Sequence, residues 1–134
     1  MKKEINKWYD VWKLPFHIDT PDYCLYIFDK NGKMVMSYVG QYNEPYKETV
    51  KQICNILNDD GGEINSLERN GLEFRINGYL FYIRGWGNLI DRGGLNLPIT
   101  KAEKIQDNFA DWIYKKLKDY LVINSTFTNN SKIK

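Results

Sequence analysis

Two Asn-Gly dipeptides, Asn31-Gly32 and Asn77-Gly78, constrain this chain more than any other feature. Asn and Gly both tolerate positive φ, which a type I′ hairpin turn demands at its two central residues. Each dipeptide is flanked by β-prone runs, "DYCLYIFDKNGKMVMSYV" over 22–39 and "LEFRINGYLFYIR" over 72–84. Side chains alternate along a strand, so Tyr23, Leu25 and Ile27 should line one face and Cys24, Tyr26 and Phe28 the other.

A helical stripe follows each hairpin. After the first, Asn43 suits a cap, Glu44 the positive helix end and Pro45 the first turn. Tyr46, Val50, Ile53, Cys54 and Leu57 then share one face of a helix over 44–58, and the glycines of "NDDGG" are expected to close it. After the second, Thr100 and Glu103 have the spacing of a capping box. Ala102, Ile105, Phe109, Trp112, Ile113, Leu117 and Leu121 form the apolar stripe, and Lys115, Lys116 and Lys118 sit where the helix dipole favours cations. The expectation is an α+β fold: one antiparallel sheet built from two hairpin-plus-helix pseudo-repeats, with two helices packed on one face. The domain should span 1–123, leaving 124–134 as a flexible C-terminal tail. At the other end, Ile5, Trp8, Tyr9 and Trp12 have the spacing of a short amphipathic helix.

A chain of 134 residues is one domain with room for a core. Its net charge of +2 is too small to imply nucleic acid or a membrane surface. The aromatic share of 15% is high enough to supply binding surface as well as core. Cys24 and Cys54 each sit in an apolar pattern without a C-x-x-C, which favours reduced core thiols over a disulfide. No run of about 18 apolar residues is present, so no membrane span is expected, and the N-terminus lacks the apolar region of a signal peptide.

The two halves differ in one respect. Gly32 precedes Pro45 by 13 positions, whereas Gly78 precedes Thr100 by 22, and the roughly nine extra residues fall in the glycine-rich segment "IRGWGNLIDRGGLNLPIT", Ile83 to Thr100. Loop-borne function concentrates in such insertions. The segment fails as a G-x-G-x-x-G, because Ile90 stands where the last glycine belongs, and no G-K-[ST] follows. Tyr82, Arg84, Trp86, Asn88, Asp91 and Arg92 are the candidate partner contacts, since Trp, Tyr and Arg are the residue types that dominate interface energetics. The alternative is single-stranded nucleic acid, for which Tyr82 and Trp86 would offer stacking surfaces and Arg75, Arg84 and Arg92 cations; Glu73 and Asp91 interrupt that patch. Trp86 packed under the loop, with the arginines paired to carboxylates, is the purely structural reading. A small-ligand protein or enzyme is the third class, with His17, Cys24 and the glycines behind it. Because no H-E-x-x-H, G-x-S-x-G or Cys/His cluster occurs, no catalytic residue, metal or cofactor is expected.

The segments "WKLPFHIDTPDYCLYIFDKNGKMVMSYV" and "RGWGNLIDRGGLNLPITKAEKIQDNFADWIYKKL" resemble parts of a group of small uncharacterised bacteriophage and mobile-element proteins. Those carry a W-x-L-P and D-x-N-G hairpin, then R-G-W-G, G-[GA]-L-x-L and I-Q-D-x-F-A. The resemblance covers about Trp12 to Leu117. It implies a protein of the bacterial cytoplasm, of the kind that often binds a host or phage protein, inhibition of host defence being one such role. It implies no activity and no catalytic residues.

Overall fold

The computed structural model describes residues 6–19, 25–39, 44–83 and 99–122. A 3-10 turn (Trp8–Asp10) leads into β1 (His17–Asp19), β2 (Tyr26–Phe28), β3 (Met34–Val39) and α1 (Glu44–Leu57), followed by β4 (Leu67–Asn70), β5 (Glu73–Ile76), β6 (Tyr79–Ile83) and α2 (Ile99–Lys118). The strands form one antiparallel sheet in the order β1-β2-β3-β6-β5-β4, so the first three meet the last three across the central β3–β6 pair. The α+β class and the single antiparallel sheet are as expected. Each half has one strand more than the hairpin-plus-helix pattern: β1 and β4 are short edge strands that the periodicity does not announce.

Register sorts the sheet into two faces. Ile18, Ile27, Met36 and Ile83 stand in one cross-strand row; Phe81 and Phe74 stand together, as do Ile76, Tyr79 and Leu67. Most of these are fully buried, and both helices lie against them. Tyr46 of α1 packs on Tyr79 and Phe81 with ring centroids 6.1 and 6.2 Å apart. Arg69 of β4 reaches Asp111 of α2 at 2.5 Å. The expected stripes are buried in both helices, except that Trp112 is half-covered and Leu121 lies past the end of α2, bridged to Ile64. A bulge between Ile27 and Phe28 makes Val35 the extra residue, which turns both Val35 and Met36 into the core.

The two Asn-Gly turns differ. Asn77 and Gly78 have φ of 54° and 86°, and Ile76 pairs directly with Tyr79, as a type I′ hairpin requires. In the first hairpin only Gly32 has positive φ, at 85°, and the amide of Gly32 donates to the carbonyl of Asp29. That is a turn one residue longer, set by Asp29: its Oδ1 accepts the amides of Asn31 and Lys33 at 2.9 and 2.7 Å.

Three helix-end expectations are corrected. Asp59, with φ 64°, rather than a glycine takes the left-handed position after α1, and the amide of Asp60 then reaches the carbonyl of Asn55. Helix α2 begins at Ile99, so Thr100 lies inside its first turn and is not the cap. Among the described residues, the N-terminal segment forms a 3-10 turn in place of the expected helix. A continuing helix would send the Lys13 amide to Tyr9, but that amide donates to Asp29 Oδ2 at 2.9 Å, and Lys13 Nζ takes the Tyr9 carbonyl instead. Pro15 two residues on disfavours further helix. The aromatics of this segment clasp α2: Trp12 stacks on Phe109 at 4.2 Å, and Trp8 lies 4.3 Å from Trp112. Ile5, Cys24, Asn43 and the tail 124–134 lie outside the described residues.

Candidate functional site

Of the six contact candidates, Tyr82 lies on β6, while Arg84, Trp86, Asn88, Asp91 and Arg92 lie outside the described residues. Tyr82 therefore locates the root of the glycine-rich segment. It stands on the sheet face opposite the helices, in a cross-strand row that runs Asp19, Tyr26, Ser37, Tyr82, Glu73, Asn70 from edge to edge. Small Ser37 sits between the two tyrosines, so the row has a shallow centre with aromatic sides. The Tyr82 hydroxyl donates to Glu73 Oε2 at 3.3 Å, a link that orients the ring along the row.

A second group lies beside it. His17 and Phe28 are directly opposed on β1 and β2, with rings stacked at 6.1 Å, and Tyr26 meets Phe28 edge-on at 6.4 Å. Met34 pairs with Phe28 across the bulge. His17, weighed from sequence as a catalytic candidate, is thus an exposed ring on an aromatic surface. Cys24, the other side chain behind the enzyme reading, lies outside the described residues. Among the described residues, both helices and the N-terminal aromatics pack on or beside the other face, which leaves this one without a covering element.

Among the described residues, the face carries more acid than base: Asp19, Glu68 and Glu73 lie on it by register, against the guanidinium of Arg75. Arg75 opposes Glu68 directly, and its Nη1 donates to the Gly78 carbonyl at 3.3 Å. Strand polarity gathers the rest: the N-terminal end of β3 and the C-terminal ends of β2 and β6 coincide, so Phe28, Met34, Tyr82 and the Asp29–Lys33 turn share one end of the sheet.

The buried polar groups elsewhere are structural. Cys54 is buried, its thiol faces the Phe16 carbonyl at 3.4 Å, and burial, reinforced by the charge of Asp60, pushes its pKa up to about 11. Asn58 grips both backbone groups of Phe16, donating from Nδ2 and accepting at Oδ1, each at 2.7 Å. Tyr46 does the same for Leu25, accepting its amide at 2.8 Å and donating to its carbonyl. Sequence reasoning missed Asn58, Tyr46 and Asp29 as anchors; only Asp29 left a signal, the D-x-N-G spacing of a side chain that folds back on its own turn. Among the described residues, no group of three or more His, Cys, Asp or Glu side chains is arranged to hold a metal ion, and no helix is long and apolar enough to cross a membrane. Comparison with protein-family models, with curated proteins and with solved structures finds no match.

Proposed function

We propose that this chain is a non-catalytic binding protein that docks a partner protein on the helix-free face of its sheet, extended by the segment after Arg84. The observation that carries this reading is the row of Tyr26, Ser37 and Tyr82 beside Phe28 and His17, on a face that no described element covers. Large, stiff aromatic side chains with polar tips are the groups through which interfaces gain most of their energy. In the setting that the family resemblance implies, a phage or mobile element, the partner is a host or phage protein, and inhibition of host defence is one role such binding would serve.

Charge favours a protein over single-stranded nucleic acid. A backbone-tracking groove needs several uncommitted cations, whereas the described residues of this face present three carboxylates and one arginine, itself bonded to the Gly78 carbonyl. The matching surface on a partner is apolar with cationic rims. Replacing Trp86 by Ala tests the loop's share: the account expects partner capture to fall with the melting temperature unchanged. A variant that merely unfolds assigns Trp86 to the core and removes the loop from the interface. Oligonucleotide binding that weakens steeply with salt would replace the protein reading with the nucleic-acid one. A thermal shift with a single small metabolite would favour the third class.

A further inference from the structure

The segment between the 3-10 turn and β1 meets the Asp29–Lys33 turn in a cleft of about 280 Å³, walled chiefly by Trp8, Tyr9, Lys13, Leu14, Lys30 and Asn31. Tyr9 is 54% exposed and Leu14 43%, two of the three large hydrophobic residues left exposed among those described. Their clustering at one cleft, rather than their exposure singly, marks the place. Its walls are built. Tyr9 stands edge-on to Trp8 at 5.5 Å, and Trp8 in turn stacks on Phe109 at 5.0 Å. The Lys30 amide donates to the Lys13 carbonyl at 2.8 Å, which holds the two lysines on adjacent backbone.

Neither of those ammonium groups forms an ion pair among the described residues. The carboxylates nearest in the chain are committed to backbone amides: Asp29, fully buried, accepts from Lys13, Asn31 and Lys33, and Asp10 accepts from Asn6 and Lys7. Lys13 Nζ spends one proton on the Tyr9 carbonyl at 2.7 Å, which fixes the cation at the cleft and leaves two donors. Two lysines carried on adjacent backbone at an aromatic slot give that cleft a positive field that favours an anion.

We propose that this cleft docks a short acidic segment of a partner protein, with one apolar side chain seated between Tyr9 and Leu14 and flanking carboxylates on Lys13 and Lys30. The site is separate from the helix-free sheet face and stands or falls without it. The probe is a fluorescein-labelled peptide of about eight residues with a single Leu among Glu and Asp, titrated with the full chain and read by fluorescence anisotropy. Saturable binding is expected, with none for the same peptide carrying Lys at every acidic position. Lys30→Glu and Tyr9→Ala each weaken it roughly tenfold with the melting temperature unchanged, since both side chains are exposed, and Tyr82→Ala leaves it as it was. The proposal is overturned if acidic and basic peptides bind alike, or if Lys30→Glu has no effect. It is equally overturned if a Leu→Ser version of the peptide or an oligothymidylate competes as well as the original, because the lysines would then be a general polyanion field.

Discussion

At the scale of single residues, three buried groups make separable predictions. Asp29 satisfies three amides at the junction of the N-terminal segment and the first hairpin. Asp29→Ala leaves them without an acceptor, and chemical denaturation should show a loss of about 3 kcal/mol. Gln106 carries the opposite error: it is 2% exposed, and its Nε2 finds no hydrogen-bond partner among the described residues. Gln106→Met keeps the length and removes the stranded donor, so stability should rise by about 1 kcal/mol; an unchanged or lower value would mean that the amide is satisfied in solution. For Cys54 the sign follows from linkage. Its thiol keeps its proton to about pH 11 in the fold but loses it near its ordinary value of 9.0 when unfolded. Above pH 9 the folded state therefore holds the extra proton, and stability falls as pH rises towards 11, by an amount on the order of 2 kcal/mol. Cys54→Ala removes this contribution, so the stability gap between the wild type and the variant should narrow over that window. A constant gap would show that the thiol titrates alike in both states.

At the scale of elements, the turn chemistry decides what was legible in the sequence. Asn77-Gly78 reads correctly because both residues take positive φ and nothing else competes. Asn31-Gly32 misleads because Asp29, two residues earlier, captures the turn amides and lengthens it. Helix stripes were visible throughout, since burial follows the 3.6-residue period, but their ends were not: Asp59 closes α1 where glycine was expected. The N-terminal aromatics were visible as apolar, but not their arrangement, because Trp8 and Trp12 are organised by Phe109 and Trp112 nearly a hundred residues away. Two substitutions follow. Asn77→Ala must hold φ 54° without Asn's help and gives up the bonds from Oδ1 to the amides of Asn65 and Ser66 and from Nδ2 to Thr49, at a cost of about 2 kcal/mol. Asn77→Gly should recover only the backbone part of that loss. Asp59→Gly relieves the left-handed strain but gives up the exposed ion pair to Lys116, so the two should nearly cancel and stability should shift by less than about 0.5 kcal/mol.

At the scale of the whole molecule, both helices lie on one face, which leaves the other without a covering element among the described residues. The core takes Ile27, Met36, Phe74, Phe81 and Ile83, and the pleat then sends Tyr26, Phe28 and Tyr82 outward. From sequence, Tyr82 was a contact candidate only as a neighbour of the glycine-rich segment. Its company was not legible, because cross-strand neighbours such as Tyr26, Ser37 and Glu73 are set by a sheet order that no local pattern encodes. The central claim is that this face captures a protein. The most direct measurement is an affinity capture from bacterial lysate, with and without nuclease, using the wild-type chain and a Phe28→Ala, Tyr82→Ala double variant of matched melting temperature, read by mass spectrometry. The account predicts one protein recovered by the wild type in both nuclease conditions and lost with the double variant. Capture that vanishes with nuclease, or that survives the double substitution, would contradict it.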